Sequence, residues 1–186
     1  MIDTIKRRII TALTIITLLA VSFTSIGCSD SCNPTTAEID NLKPMVSGIT
    51  VGYEDGATIE LTPDSAHFND VCDEALRIAL SINIHYSGLQ TVEQLYEAHR
   101  KFVYVSFAQP VEITTCIIVP EEERDHITTN EDGYRIITPT ELVILPQGTT
   151  PEICLPEIWA CAENVCGMWD SARAMDTIND LIDDLR

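Results

Sequence analysis

Apolar and polar residues alternate most cleanly between residues 49 and 61, in "ITVGYEDGATIEL", and this period of two predicts a β-hairpin. With Glu54-Asp55-Gly56 as a three-residue loop, Tyr53 faces Ala57, Val51 faces Ile59 and Ile49 faces Leu61. The apolar side chains then share one face, and Gly56 takes the left-handed position. A two-residue loop at Asp55-Gly56 would scramble those faces. The period then lengthens in "TPDSAHFNDVCDEALRIALSI", where Phe68, Val71, Cys72, Ala75, Ala79 and Ile82 recur at three- and four-residue steps. That spacing predicts a helix capped by Thr62 or Asp64, with Cys72 on its core face. Thr91 and Gln94 stand at capping-box spacing ahead of a second, shorter helix through "VEQLYEAHR".

Further along, "KFVYVSFAQPVEITTCIIVP" is rich in β-branched and aromatic residues, and Pro110 divides it into two strands or bends one edge strand. A second hairpin is expected around Glu131-Asp132-Gly133, joining "HITT" to "YRIIT", with another strand in "ELVILP". Between Pro151 and Ser171, Pro156 and Gly167 fit the first position and the stop of a short helix. A helix there would point Cys161 and Cys166 about 140° apart and forbid a bond between them. The last segment, "SARAMDTINDLIDDLR", carries Met175, Ile178, Ile182 and Leu185 on one stripe, as a helix packed on a sheet requires. The sum is an α+β fold: a single small domain with an antiparallel sheet of hairpins packed against two to four helices.

The chain opens differently. Lys6, Arg7 and Arg8 precede an uncharged apolar run from Ile9 to Ile26, the layout of an export signal. Thr11, Thr14, Thr17, Ser22 and Thr24 dilute that run, which makes a retained transmembrane anchor the weaker reading. The run ends in Ser25-Ile26-Gly27-Cys28. Small residues followed by cysteine after an apolar run resemble the signal sequences of bacterial membrane lipoproteins, and the resemblance covers about the first thirty residues. It implies cleavage before Cys28, a diacylglycerol on the Cys28 sulfur and, as a rule, an acylated amine. Two or more acyl chains hold stably, since each buried methylene contributes roughly 0.8 kcal/mol and one chain alone is marginal. The expected organisation is an export signal over 1–27, a lipid-anchored polar tether over 28–46 and an α+β domain over 47–186. The protein would sit in the cell envelope outside the cytoplasmic membrane, the alternative being a secreted form.

Charge narrows the partners. The whole chain carries −18, and removal of the signal takes away three cations and only Asp3 among the acids. So acidic a body repels nucleic acid, which needs a basic footprint. Of the seven cysteines, a lipidated Cys28 leaves Cys32, Cys72, Cys116, Cys154, Cys161 and Cys166 as disulfide candidates, an even number suited to an oxidising compartment. At least one bridge is expected between the group from Cys154 to Cys166 and a cysteine outside it.

Motifs for chemistry are missing. Cys154, Cys161 and Cys166 do not follow the two-to-four-residue spacing of zinc sites, and the chain has no C-x-x-C. "NEDG" at 130–133 lacks the acids of a calcium loop at Thr128 and Pro139 and reads as a turn. His67, His85, His99 and His126 each stand alone, and "EEERDH" at 121–126 reads as a solvated loop. No phosphate-cradling glycine loop occurs, and no metal or cofactor is expected. Two functions of different class remain. The first is a lipid-anchored binding or interaction module for a protein, glycan or small-molecule ligand. The second is an exported enzyme or metal-handling protein whose site forms only in three dimensions, with Trp159, Trp169 and the nearby cysteines as the place to look.

Overall fold

A computed structural model describes residues 33–97, 101–147, 157–163, 165–171 and 173–186. The expected export signal, Cys28, Cys32, His99 and Cys154 lie outside them. The fold is α+β. Its main element is an antiparallel seven-stranded sheet in the order β2-β1-β4-β7-β8-β9-β3. Those strands are β1 (Val46–Gly52), β2 (Thr58–Leu61), β3 (Ile82–Thr91), β4 (Phe102–Phe107), β7 (Glu141–Leu145), β8 (Glu157–Ala162) and β9 (Val165–Ser171). A separate two-stranded ribbon pairs β5 (Ile113–Ile118) with β6 (Tyr134–Ile137). Four helices accompany them among the described residues: α1 (Thr36–Leu42), α2 (Phe68–Leu80), α3 (Val92–Glu97) and α4 (Asp176–Asp183).

The first hairpin has the register its alternation dictates. Ile49 pairs with Leu61 and Val51 with Ile59, the Tyr53 amide donates to the Ala57 carbonyl at 3.0 Å, and Gly56 closes the loop at φ 82°. Helix α2 begins later than expected. Thr62 to Ser65 form a turn in which the Ser65 amide donates to the Thr62 carbonyl and the Thr62 amide to Ser65 Oγ, so His67 rather than Thr62 or Asp64 precedes the first helical residue. Its core face is as read: Val71, Cys72, Ala75 and Ala79 are fully buried. The box at α3 forms too, with the Thr91 amide donating to Gln94 Oε1 and the Gln94 amide to Thr91 Oγ1.

Both faces of the large sheet are covered, which explains why its inner strands read as continuous apolar runs. One face joins Ile49, Val103, Val105, Leu142, Ile144 and Ile158 to α2 and to Ile178 and Ile182 of α4. Each such burial contributes roughly 1.5–3 kcal/mol. The other face gathers Phe102, Val143, Leu145, Trp159, Cys161 and Cys166 around Leu95 of α3. Pro110 divides its segment into two strands in different sheets, and β4 is interior, not an edge. At the Glu131-Asp132-Gly133 turn, Gly133 has φ 85° and the Asn130 amide donates to the Tyr134 carbonyl. "HITT" contributes only one bridge, Thr129 to Arg135, and β6 takes β5 as its strand partner.

Two expectations are overturned by geometry. The segment containing Cys161 and Cys166 is not a helix but the β8–β9 hairpin, and the two cysteines face each other in its register and are bonded. The angular separation that would keep them apart exists only on a helix. In an antiparallel pair, opposed side chains lie on the same face. Glu163 takes φ 51°, the left-handed conformation a two-residue hairpin turn demands at its first position. The ring closed is short, so the bond removes only about 2 kcal/mol of unfolded-chain freedom in a chain-entropy account. Cys72, another disulfide candidate, keeps a free thiol in the core, where burial pushes its pKa up to about 12.

The second correction concerns the tether. From Thr36 onward the chain expected to be a spacer is folded on the body: Thr35 and Glu38 form a capping box for α1, Ile39 is buried, and Lys43 Nζ lies 2.6 Å from Asp73 of α2. One buried isoleucine in two helical turns is too sparse a pattern to stand out in a polar segment, but it is enough to dock that short helix. The folded body therefore begins well before residue 47.

Candidate functional site

The site is built by the far end of the large sheet and the small ribbon above it. His85 on β3 is the register partner of Trp169 on β9, so the two side chains emerge on one face, with ring centroids 4.3 Å apart and planes tilted by 40°. On the neighbouring strand, Ala160 pairs with Gly167 and Ala162 with Val165. Alternation puts Ala160, Ala162, Gly167 and Trp169 on that same face. Small side chains at three of these positions leave a hollow beside the indole. From β6, Arg135 lays its guanidinium over Trp169, 4.8 Å from the ring centroid. Thr138 and Pro139, which follow β6, complete the wall of an open cleft of about 300 Å³.

The polar groups of this cleft are unusually unengaged. Trp169 is 5 % exposed, and its Nε1 is buried without a hydrogen-bond acceptor among the described residues. An unmet buried donor costs about 1–3 kcal/mol. A Cβ at position 167 would stand 3.4 Å from that nitrogen, so Gly167 lets the chain lie close to the indole edge. Arg135 is half-buried and has no carboxylate partner among the described residues, whereas Arg173, Arg186, Lys43 and Lys101 each have one. Burial lowers the pKa of Arg135, and burial together with the Arg135 charge lowers that of His85. His85 thus stays neutral further into acid than an ordinary imidazole and presents one N–H. Among the described residues, no carboxylate lines the cleft.

The contrast with Trp159 is instructive. Its Nε1 donates to Glu157 Oε2 at 2.9 Å within the second core cluster, on the opposite face of the sheet. Of the region flagged in the sequence, Trp169 enters the cleft and Cys161 lines it, while Trp159 is structural. Among the other candidates, His67 and His126 are exposed and do not line the cleft. Cys116, half-buried on β5, directs its Sγ toward the Leu80 carbonyl at 3.8 Å. Sequence reasoning missed Arg135 and treated His85 as solitary, because their meeting depends on two strand pairings distant in the chain. Among the described residues, no three His, Cys, Asp or Glu side chains cluster as a metal site would require. Comparisons with protein-family models, curated proteins and solved structures each find no match to the chain.

Proposed function

We propose that the protein is an exported, lipid-anchored binding module of the cell envelope, tethered through Cys28, that holds a small ligand in the cleft framed by Arg135, His85 and Trp169. The observation that carries the binding role is the donor set of that cleft, which is uncompensated among the described residues: a guanidinium without an acid and an indole N–H without an acceptor, around a hollow left by small residues. A site kept incomplete within the protein is completed by what enters it. The basic start, the apolar run and Ser25-Ile26-Gly27-Cys28 support the anchored location.

Both halves are testable in the full chain. The protein should fractionate with membranes and enter the detergent phase on partitioning, and Cys28→Ser should move it to the aqueous phase; unchanged partitioning overturns the anchor. For the cleft, the Trp169 indole N–H resonance should respond saturably to at least one of four ligand classes: neutral sugars, amines, carboxylic acids and phosphate esters. Ala162→Leu, an exposed substitution at the cleft floor, should abolish the response. Silence toward all four classes removes the cleft as a binding site.

A further inference from the structure

We infer that the cleft selects a small monocarboxylate with an apolar body, free or at the end of a peptide; the inference rests on the binding role proposed above and names its ligand class. The donors decide the sign. Arg135, Trp169 and His85 line one hollow, with the unpartnered Trp169 indole nitrogen beside Gly167 in its wall, and none of the twelve residues lining it is an acid. That composition stands out in a chain with 29 acidic residues against 11 basic ones; among the described residues Lys43, Lys101, Arg173 and Arg186 each meet a carboxylate, while Arg135, like Arg77 and Arg124, does not. A guanidinium that stays unpaired there and rests on an aromatic face keeps its N–H edge available for a planar acceptor.

The amount of charge decides between anions. One guanidinium beside a neutral imidazole supplies a single positive charge. A phosphate dianion calls for more, usually two cations or the amide-lined start of a helix. The cleft is walled by strands and by Thr138 and Pro139 instead. The strongly negative surroundings further disfavour a second negative charge on the ligand. A carboxylate matches the charge and the fork of Arg135, and its second oxygen can accept from the buried indole N–H that lacks an acceptor.

The remainder of the cleft describes the remainder of the ligand. Ala160, Ala162, Val165, Pro139 and the Trp169 ring offer an apolar surface, and about 300 Å³ holds a body the size of one large amino-acid side chain with its carboxylate. Sugars, which need paired donors and acceptors, find few acceptors here. Cations are opposed by Arg135.

The test follows the Trp169 indole N–H by nuclear magnetic resonance in the full chain, held in detergent micelles, with Trp159→Phe to assign the two indole signals. Benzoate should shift the Trp169 signal saturably, and benzamide should bind at least tenfold more weakly. Arg135→Gln should weaken benzoate about tenfold, and Arg135→Lys should recover only part, because it restores charge without the fork. N-acetyl-phenylalanine and Gly-Gly-Phe, each as free acid and amide, distinguish the two sources. A tighter free-acid tripeptide indicates a peptide end, and equal affinities indicate a free acid. Equal binding of benzoate and benzamide, or full retention in Arg135→Gln, overturns the carboxylate inference. A response to sugars, amines or phosphate esters without one to benzoate does so too, while leaving the binding role intact.

Discussion

Replacing Arg173 by methionine should destabilise the protein by about 3 kcal/mol, read as a fall in the urea midpoint at unchanged slope. The reason is an asymmetry in one ion pair. Glu74 on α2 is buried at 5 % exposure, and Arg173 grips it with both arms of its fork: Nε lies 2.6 Å from Oε1 and Nη2 3.0 Å from Oε2. Those bonds raise the pKa of Arg173. Without the arginine, a carboxylate remains in the core with nothing to answer it. The converse change, Glu74→Gln, leaves a guanidinium whose side chain is 34 % exposed and can hydrate, so its cost should be nearer 1 kcal/mol. Glu74→Met together with Arg173→Met should recover most of the loss, since burying two apolar chains avoids desolvating either charge. If Arg173→Met alone costs no more than Glu74→Gln, the pair is not what holds the end of β9 against α2.

Gly52→Ala should cost close to 3 kcal/mol, a large effect for one methyl group. Gly52 stands opposite Phe102 in the β1–β4 register, and the phenyl ring lies over the bare backbone. A Cβ there would come within 2.0–2.6 Å of three ring carbons. The ring cannot simply step aside, because it is 6 % exposed and packed with Leu145 and Trp159 in the second core cluster. Overpacking of this kind costs about 1–3 kcal/mol, and a fixed ring places it at the upper end. Phe102→Leu should relieve the clash, so the double variant should be less destabilised than the two single changes added together. Simple additivity in unfolding experiments would show that the glycine is needed for some other reason.

How far the fold was legible depends on whether each element has one covered face or two. The β1–β2 hairpin and α4 keep a polar side toward water, so Ile49, Val51 and Tyr53 in one and Ile178 and Ile182 in the other stand out by period. Strand β8 buries Ile158 on one face and Trp159 and Cys161 on the other, and reads Ile-Trp-Ala-Cys without any period. Its turn, Glu163-Asn164, lacks glycine, and alanine with glutamate suggests a helix. Strand β3 does alternate at Ile82, Ile84 and Tyr86, but a register shift between His85 and Leu89 interrupts it. The cleft was legible only at Trp169 and Cys161. His85 reaches it by pairing across half the chain, and Arg135 comes from a second sheet, so neither carried a local sign of the other.

The pairing of β3 with β9 also fixes an order in time. A chain made from its N-terminus presents β3 long before β9, and Ile82 must wait for Ser171 and His85 for Trp169. Such distant pairings are slow to form because the intervening chain has to be ordered first. During that interval β3, with its exposed Ile84 and Leu89, offers both its edges to other chains, and the pairing with β9 closes the inner one. The cleft comes into being only when the interval ends. Any ligand of the cleft would therefore bind only molecules that have finished folding, and would draw the population toward them by mass action.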